Sequence, residues 1–144
     1  ACPNAQPLAG FLSLVLPAIA MGNAVVAIPA QDDPLAVTDL YQVFDTSDLP
    51  GGVVNIVTGV TADLAVPLAA HEEVAGFWHA GPAAGLAAVD RAAAGNLKPV
   101  WAVPARDWTG VHAQGEAFLH HATRSKTIWL PYGALPAGSG SAAY

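Results

Sequence analysis

Apolar residues along this chain alternate between two rhythms, long helical stretches and short unbroken runs. Residues 8–21 are almost wholly apolar and predict a helix, kinked at Pro17 because an interior proline removes a backbone hydrogen bond and crowds the preceding turn. Gly22-Asn23 follows as a C-cap and turn. Ala24 to Ile28 is a short continuous apolar run, the pattern of a strand covered on both faces of a parallel sheet. Pro34 suits a first helical turn, with Asp32 or Asp33 as its cap, and opens a helix expected to reach Thr46. That helix places Leu35, Leu40, Val43 and Phe44 near one face, and Leu49-Pro50-Gly51-Gly52 ends it before a second strand, Val53 to Val57.

The alternation continues. Thr61 or Asp63 starts a short helix through Ala70, whose regularity Pro67 limits, and Val74 to Ala80 reads as a third strand. Gly81-Pro82 opens a helix to Ala94, Gly95-Asn96 ends it, and Leu97 to Val103 is the fourth strand. Strands and helices in this order predict an α/β fold: a Rossmann-like parallel sheet with flanking helices. After Pro104 the period is lost, with a loop over 106–110 and a short helix from Glu116 to Thr123. Lys126 to Leu130 then reads as a C-terminal β-arm, apolar on both faces, whose unpaired edge invites another chain. The expected division is a Rossmann-like unit over 1–104, a linker and oligomerisation element over 105–135, and a flexible Gly/Ser/Ala tail over 136–144.

Composition sharpens this picture. A chain of 144 residues is one domain with a real core, burying roughly 70% of its unfolded surface. Only 11% of the residues are charged, against about 25% in a typical soluble domain, which suggests that part of the apolar surface is covered by another domain or subunit. A net charge of −6 and five cations in no stripe argue against nucleic acid. Residues 8–21 are too short for the roughly 20 residues that cross a bilayer and lack a basic flank, so neither a membrane segment nor a signal is expected. One cysteine, Cys2, excludes an internal disulfide framework and fits a reducing, cytoplasmic setting.

Two segments carry a family resemblance. Pro17-Ala18-Ile19-Ala20-Met21-Gly22-Asn23 with Val25-Val26-Ala27-Ile28-Pro29, and then Asp48 to Asn55, resemble the PALAxGNxVVxKPSExTPL and GLPxGVVNxVxG segments of aldehyde dehydrogenases, at the family's spacing. Gly81-Pro82-Ala83-Ala84-Gly85 resembles the family's FTGSTxxG turn, and Gly95-Asn96-Leu97-Lys98 the approach to its LELGG strand. His121 to Tyr132 resembles the C-terminal YTxxKxVxI strand, which in the family pairs across the subunit interface. The catalytic domain is missing between Val103 and this end, a pattern similar to the degenerate second unit of family-sixteen aldehyde dehydrogenases.

The resemblance implies positions for the chemistry, and they are altered. The family's ribose-binding lysine and glutamate fall on Ile28 and Gln31, and the serine between them on Ala30. Pro82 replaces a phosphate-turn serine, while Gly81 and Gly85 remain, for close helix–strand packing or for a dinucleotide. The general-base position falls near Val103, and Cys2 sits far from the family's thiol. His112, His120 and His121 show no metal-ligand spacing with a carboxylate, so no metal site is expected. No catalytic residue is therefore expected in this chain alone and no cofactor, with NAD(P) entering only if a complete dehydrogenase unit is present.

Three functions follow as expectations. The first is a non-catalytic pseudo-dehydrogenase with a structural role, joining copies of itself or a complete aldehyde dehydrogenase through Lys126, Ile128, Trp129, Leu130 and Tyr132. The second is a share in an active NAD(P)-dependent enzyme whose catalytic groups lie in another domain or chain. The third is a weak nucleotide-binding module built on the Gly22, Gly81 and Gly85 turns.

Overall fold

Helix α1 (Pro7–Ala20) begins with a proline in its first turn, where the missing N–H would have no partner, and runs on through Pro17. It buries Gly10, Phe11, Leu14 and Val15, the i, i+1, i+4, i+5 set of one helical face. The computed structural model describes residues 1–129. Gly22 follows α1 at φ +83°, a left-handed turn that a side chain would strain, and the chain enters strand β1 (Val25–Ala27).

Helices α2 (Leu35–Thr38) and α3 (Leu40–Asp45) replace the single helix expected up to Thr46, the interruption falling at Asp39. The inward stripe is Val37, Leu40 and Phe44, spaced i, i+3, i+7, so Leu35 and Val43 fall off it and stand exposed. Strand β2 (Val54–Ile56) lies parallel to β1, with Val26 opposite Asn55. Helix α4 (Thr61–Ala70) carries Pro67 without a break and buries Ala65 and Ala69. Strand β3 (Phe77–His79) is followed by a 3-10 turn over Ala83–Gly85 and helix α5 (Leu86–Ala93), shorter than the expected helix from Gly81. Leu97, expected to open the fourth strand, instead closes the turn after α5 at φ +55° and is exposed, so β4 is only Val100–Ala102. It runs parallel to β3, Trp78 opposite Trp101.

The architecture is thus α/β and Rossmann-like, but the four strands form two parallel pairs, β1–β2 and β3–β4, in place of one continuous ladder. The backbone of Ala1 and Cys2 lies between the pairs. Cys2 N–H donates to the Ile28 carbonyl at 2.9 Å, and the Ala1 carbonyl accepts from Ala80 N–H at 2.9 Å. One core cluster gathers α1, α2 and the later chain: Phe11, Leu14, Val15, Val37, Trp108 and Phe118. The other holds Ile28, Ala65, Ala69, Phe77 and Val89 beneath α4 and α5. Helix α6 (Glu116–His121) is locked to the first by Phe118, whose ring meets Trp101 at 5.2 Å and 77°, while Trp101 meets Trp78 edge-on at 5.0 Å.

Lys126 to Trp129 form no strand, so the expected β-arm is not built by the described residues. Within the described part of this segment Ile128 and Trp129 are 77% and 90% exposed. Leu130, Tyr132 and the tail over 136–144 lie outside the described residues.

Candidate functional site

In open α/β sheets ligands collect beyond the carboxyl ends of the strands. Here that edge is formed by the residues after β1, β2 and β3, and the residues singled out from the sequence meet there. Ile28, Pro29 and Ala30 continue β1 into the interior; Ile28 is 1% exposed and packs in the second core cluster. An apolar side chain so placed offers nothing to a ribose hydroxyl.

Gln31 emerges at the surface, yet its side-chain oxygen and its backbone N–H are engaged. Its Oε1 accepts from the backbone N–H of Thr61 at 3.2 Å. Thr61 is the first residue of α4, so Gln31 satisfies one of the donors that every helix leaves open at its start. The Gln31 N–H donates to Asn4 Oδ1 at 3.2 Å, and Asn4 Nδ2 donates to Asp32 Oδ2 at 2.7 Å. Asn4, Gln31, Asp32 and Thr61 form one polar latch joining the N-terminal segment, the end of β1 and the start of α4.

The turn after β3 closes on itself in the same way. His79 is 4% exposed, and its Nε2 lies 3.0 Å from the Pro82 carbonyl. A carbonyl only accepts, so Nε2 carries the proton and donates, leaving Nδ1 as a buried lone pair without a partner. Gly81 and Gly85 flank this ring at ordinary contact distance: a Cβ on Gly81 would stand 3.4 Å from His79 Cε1 and 3.7 Å from Thr61 Cγ2, and one on Gly85 3.8 Å from His79 Cε1. Both glycines lie beside the His79 ring, and Pro82 contributes no N–H to the turn.

The remaining chemical candidates are scattered. Val103, near which the resemblance puts the general-base position, is buried and apolar. Cys2 is 3% exposed, and burial pushes its thiol up, away from the thiolate a nucleophile needs. His121 stacks on Trp101 at 4.0 Å and 10° and meets His120 edge-on at 5.8 Å and 85°. Among the described residues no three potential metal ligands converge, and no helix is long and apolar enough to cross a membrane. Asn4 and His79, and Thr61 beyond its place at a helix start, carry no site signal in the sequence. Their partners lie 27 or more residues away or depend on a turn geometry, and no local pattern marks them.

The sequence pattern of the aldehyde dehydrogenase family matches residues 2–103. The chain is 36% identical over 79 residues to a hydroxyisobutyraldehyde dehydrogenase of Mycolicibacterium austroafricanum, covering 55% of this chain and 16% of that protein. A 2-aminomuconic 6-semialdehyde dehydrogenase of a Pseudomonas species is 36% identical over 87 residues, 60% of this chain and 18% of its own. Aldehyde dehydrogenase family 2 member B4, mitochondrial, of Arabidopsis thaliana is 38% identical over 95 residues, 65% and 18% of the two chains. The chain spans less than a fifth of the length of these relatives. The match from residue 2 to 103 runs through both strand pairs and the helices between them, and this chain belongs to the aldehyde dehydrogenase family.

Proposed function

We propose that this chain is a non-catalytic aldehyde dehydrogenase module with a structural, oligomerising role, of the kind found as the degenerate unit of family-sixteen enzymes. One observation carries the reading. At the carboxyl edge, where the fold would place a dinucleotide, the Gln31 side-chain oxygen and backbone N–H, Asn4 and the Pro82 carbonyl are already engaged within the chain. Gln31 caps α4, Asn4 ties Gln31 to Asp32, and the Pro82 carbonyl is held by His79. The residues present do not fit NAD(P): Ile28 and Ala30 are buried apolar groups, and freeing Gln31 leaves the Thr61 N–H without its partner, at about 1–3 kcal/mol for a buried donor. Cys2 and Val103 supply neither thiolate nor base.

The test is calorimetric titration of the chain with NAD+ and NADP+, followed by an assay for aldehyde-dependent reduction of either. The expected outcome is no heat of binding up to millimolar nucleotide and no turnover. A micromolar dissociation constant, or reduced cofactor formed on adding an aldehyde, overturns the reading.

A second reading rests on how little of its relatives the chain spans. It would be one part of an active NAD(P)-dependent dehydrogenase whose thiol and base lie elsewhere, helping to hold the assembly together. Deleting this segment from a complete dehydrogenase that carries it separates the two: lost turnover with intact mass favours catalysis, and lost mass favours assembly.

A further inference from the structure

The pairs β1–β2 and β3–β4 leave β2 and β4 as the outer strands, and their outer edges are finished differently. On β2 the Ile56 N–H points away from β1, and the Tyr41 hydroxyl of α3 crosses the edge to accept from it at 2.9 Å. β4 has no such cover. The Pro99 carbonyl accepts from Phe77 N–H and Val103 N–H donates to the His79 carbonyl, both at 2.9 Å. Alternate residues of a parallel strand turn their peptide groups to opposite sides, so those of Val100 and Ala102 face outward. Among the described residues, nothing bonds to the N–H or the carbonyl of either. Proteins commonly blunt an open edge with charge, yet residues 99–105 carry none, and Ala102, Pro104 and Ala105 are exposed.

This edge is complementary to itself. Turned about a two-fold axis beside Trp101, the same edge of a second copy answers every open group. Val100 falls opposite Ala102 of the second copy, and Ala102 opposite its Val100. Each of these pairs exchanges two N–H···O bonds, as hydrogen-bonded antiparallel pairs do. The side chains agree with that register. On one face Val100, packed against the second core cluster, meets the small, exposed Ala102. On the other face the two Trp101 residues come opposite each other, each backed by Trp78 at 5.0 Å and by His121 at 4.0 Å. Pro104 has no N–H, so the pairing stops there. With no charge over 99–105, two copies that each carry −6 meet here without facing like charges.

We propose that the outer edge of β4 is a self-association surface, through which two copies of the chain pair antiparallel at Val100 and Ala102. The two β3–β4 pairs then form one four-stranded sheet, with both β4 strands at its centre and an isologous, closed interface. The proposal rests on the assembly reading and names its partner, a second copy, and a surface separate from residues 126–132.

The test follows native-state amide exchange and light scattering of residues 1–144 across concentration. As the mass doubles, exchange is expected to slow by about tenfold or more at the Val100 and Ala102 amides. The Phe77 and Val103 amides, bonded within the β3–β4 pair, are the reference and stay equally protected at every concentration. Ala102→Pro removes an outward N–H and none of the bonds to β3, so it is expected to stay monomeric with the reference amides still protected. Should the proline loosen β4 itself, the concentration dependence of the wild-type amides decides alone. A dimer without slower exchange at Val100 and Ala102, or an Ala102→Pro chain that keeps its fold and dimerises as well as the wild type, overturns this surface and leaves the assembly reading standing. A strictly monomeric wild type overturns the self-pairing, and the assembly reading then passes to a complete dehydrogenase as partner.

Discussion

Gly10 shows how much of this fold is set by one absent carbon. A Cβ there would stand 2.4 Å from Pro3 Cγ and 3.0 Å from Pro3 Cδ, and Pro3 cannot swing aside because its ring is part of the backbone that leads from the Ala1–Cys2 bridge. Alanine normally favours a helix over glycine by about 1 kcal/mol. Here the clash reverses that preference, so Gly10→Ala is expected to lower stability by about 1–3 kcal/mol, the usual range for overpacking. Urea unfolding followed by tryptophan fluorescence checks the sign, since a simple propensity effect would raise the midpoint. At this scale the sequence is half legible. The apolar Ile28 and the neutral Gln31 at chemical positions are visible from the residues alone. What Gln31 does is not, because its partner Thr61 lies 30 residues on and neither residue type advertises the bond.

At the scale of elements, helix α6 joins a segment of lost periodicity to the core through aromatic rings. Phe118 meets Trp101 and Trp78, and the neighbouring His121 lies flat on Trp101. Desolvation first, and then the charge of His120, hold the His121 imidazole below its ordinary 6.5. The folded chain therefore resists protonation at this ring while the unfolded chain does not. Above pH 6.5 both states are neutral there, and the contribution is present in full. As pH falls below 6.5 the unfolded state takes the proton first, and stability is lost as pH drops through the lowered value. The thermal midpoint of the wild type is expected to fall between pH 7 and 5, with a flatter profile for His121→Phe, which keeps the stacking and removes the titration. Identical slopes would assign the dependence to other groups. The short apolar runs Ala24–Ile28 and Val53–Val57, the second interrupted only by Asn55, mark the two strands in the sequence, although Val26 and Val57 stand 42% exposed in the structure. The bridging role of Ala1 and Cys2 left no such mark, since two residues carry no period and their partners are Ile28, Trp78 and Ala80.

For the whole molecule, the arithmetic of charge and exposure points outward. Charged residues make up 11% of the chain, and beyond α6 the described residues end on Ile128 and Trp129, 77% and 90% exposed. Side chains of this size gain free energy when another surface covers them, and tryptophan is among the residues that dominate protein contacts. Neither belongs to a core cluster, so Ile128→Ser with Trp129→Ser leaves the fold's own packing in place. If this segment joins copies of the chain, light scattering across concentration gives a wild-type mass that climbs above the monomer, and a double variant that stays monomeric at the same thermal midpoint. The unchanged midpoint separates a lost interface from a damaged fold. A wild-type mass that climbs and a variant that climbs equally would move the contact to another surface, and a strictly monomeric wild type would remove self-association from the proposed role and leave a complete dehydrogenase as its partner. The net charge of −6 sets the direction of one further effect: copies repel at low ionic strength, so added salt is expected to strengthen an apolar contact.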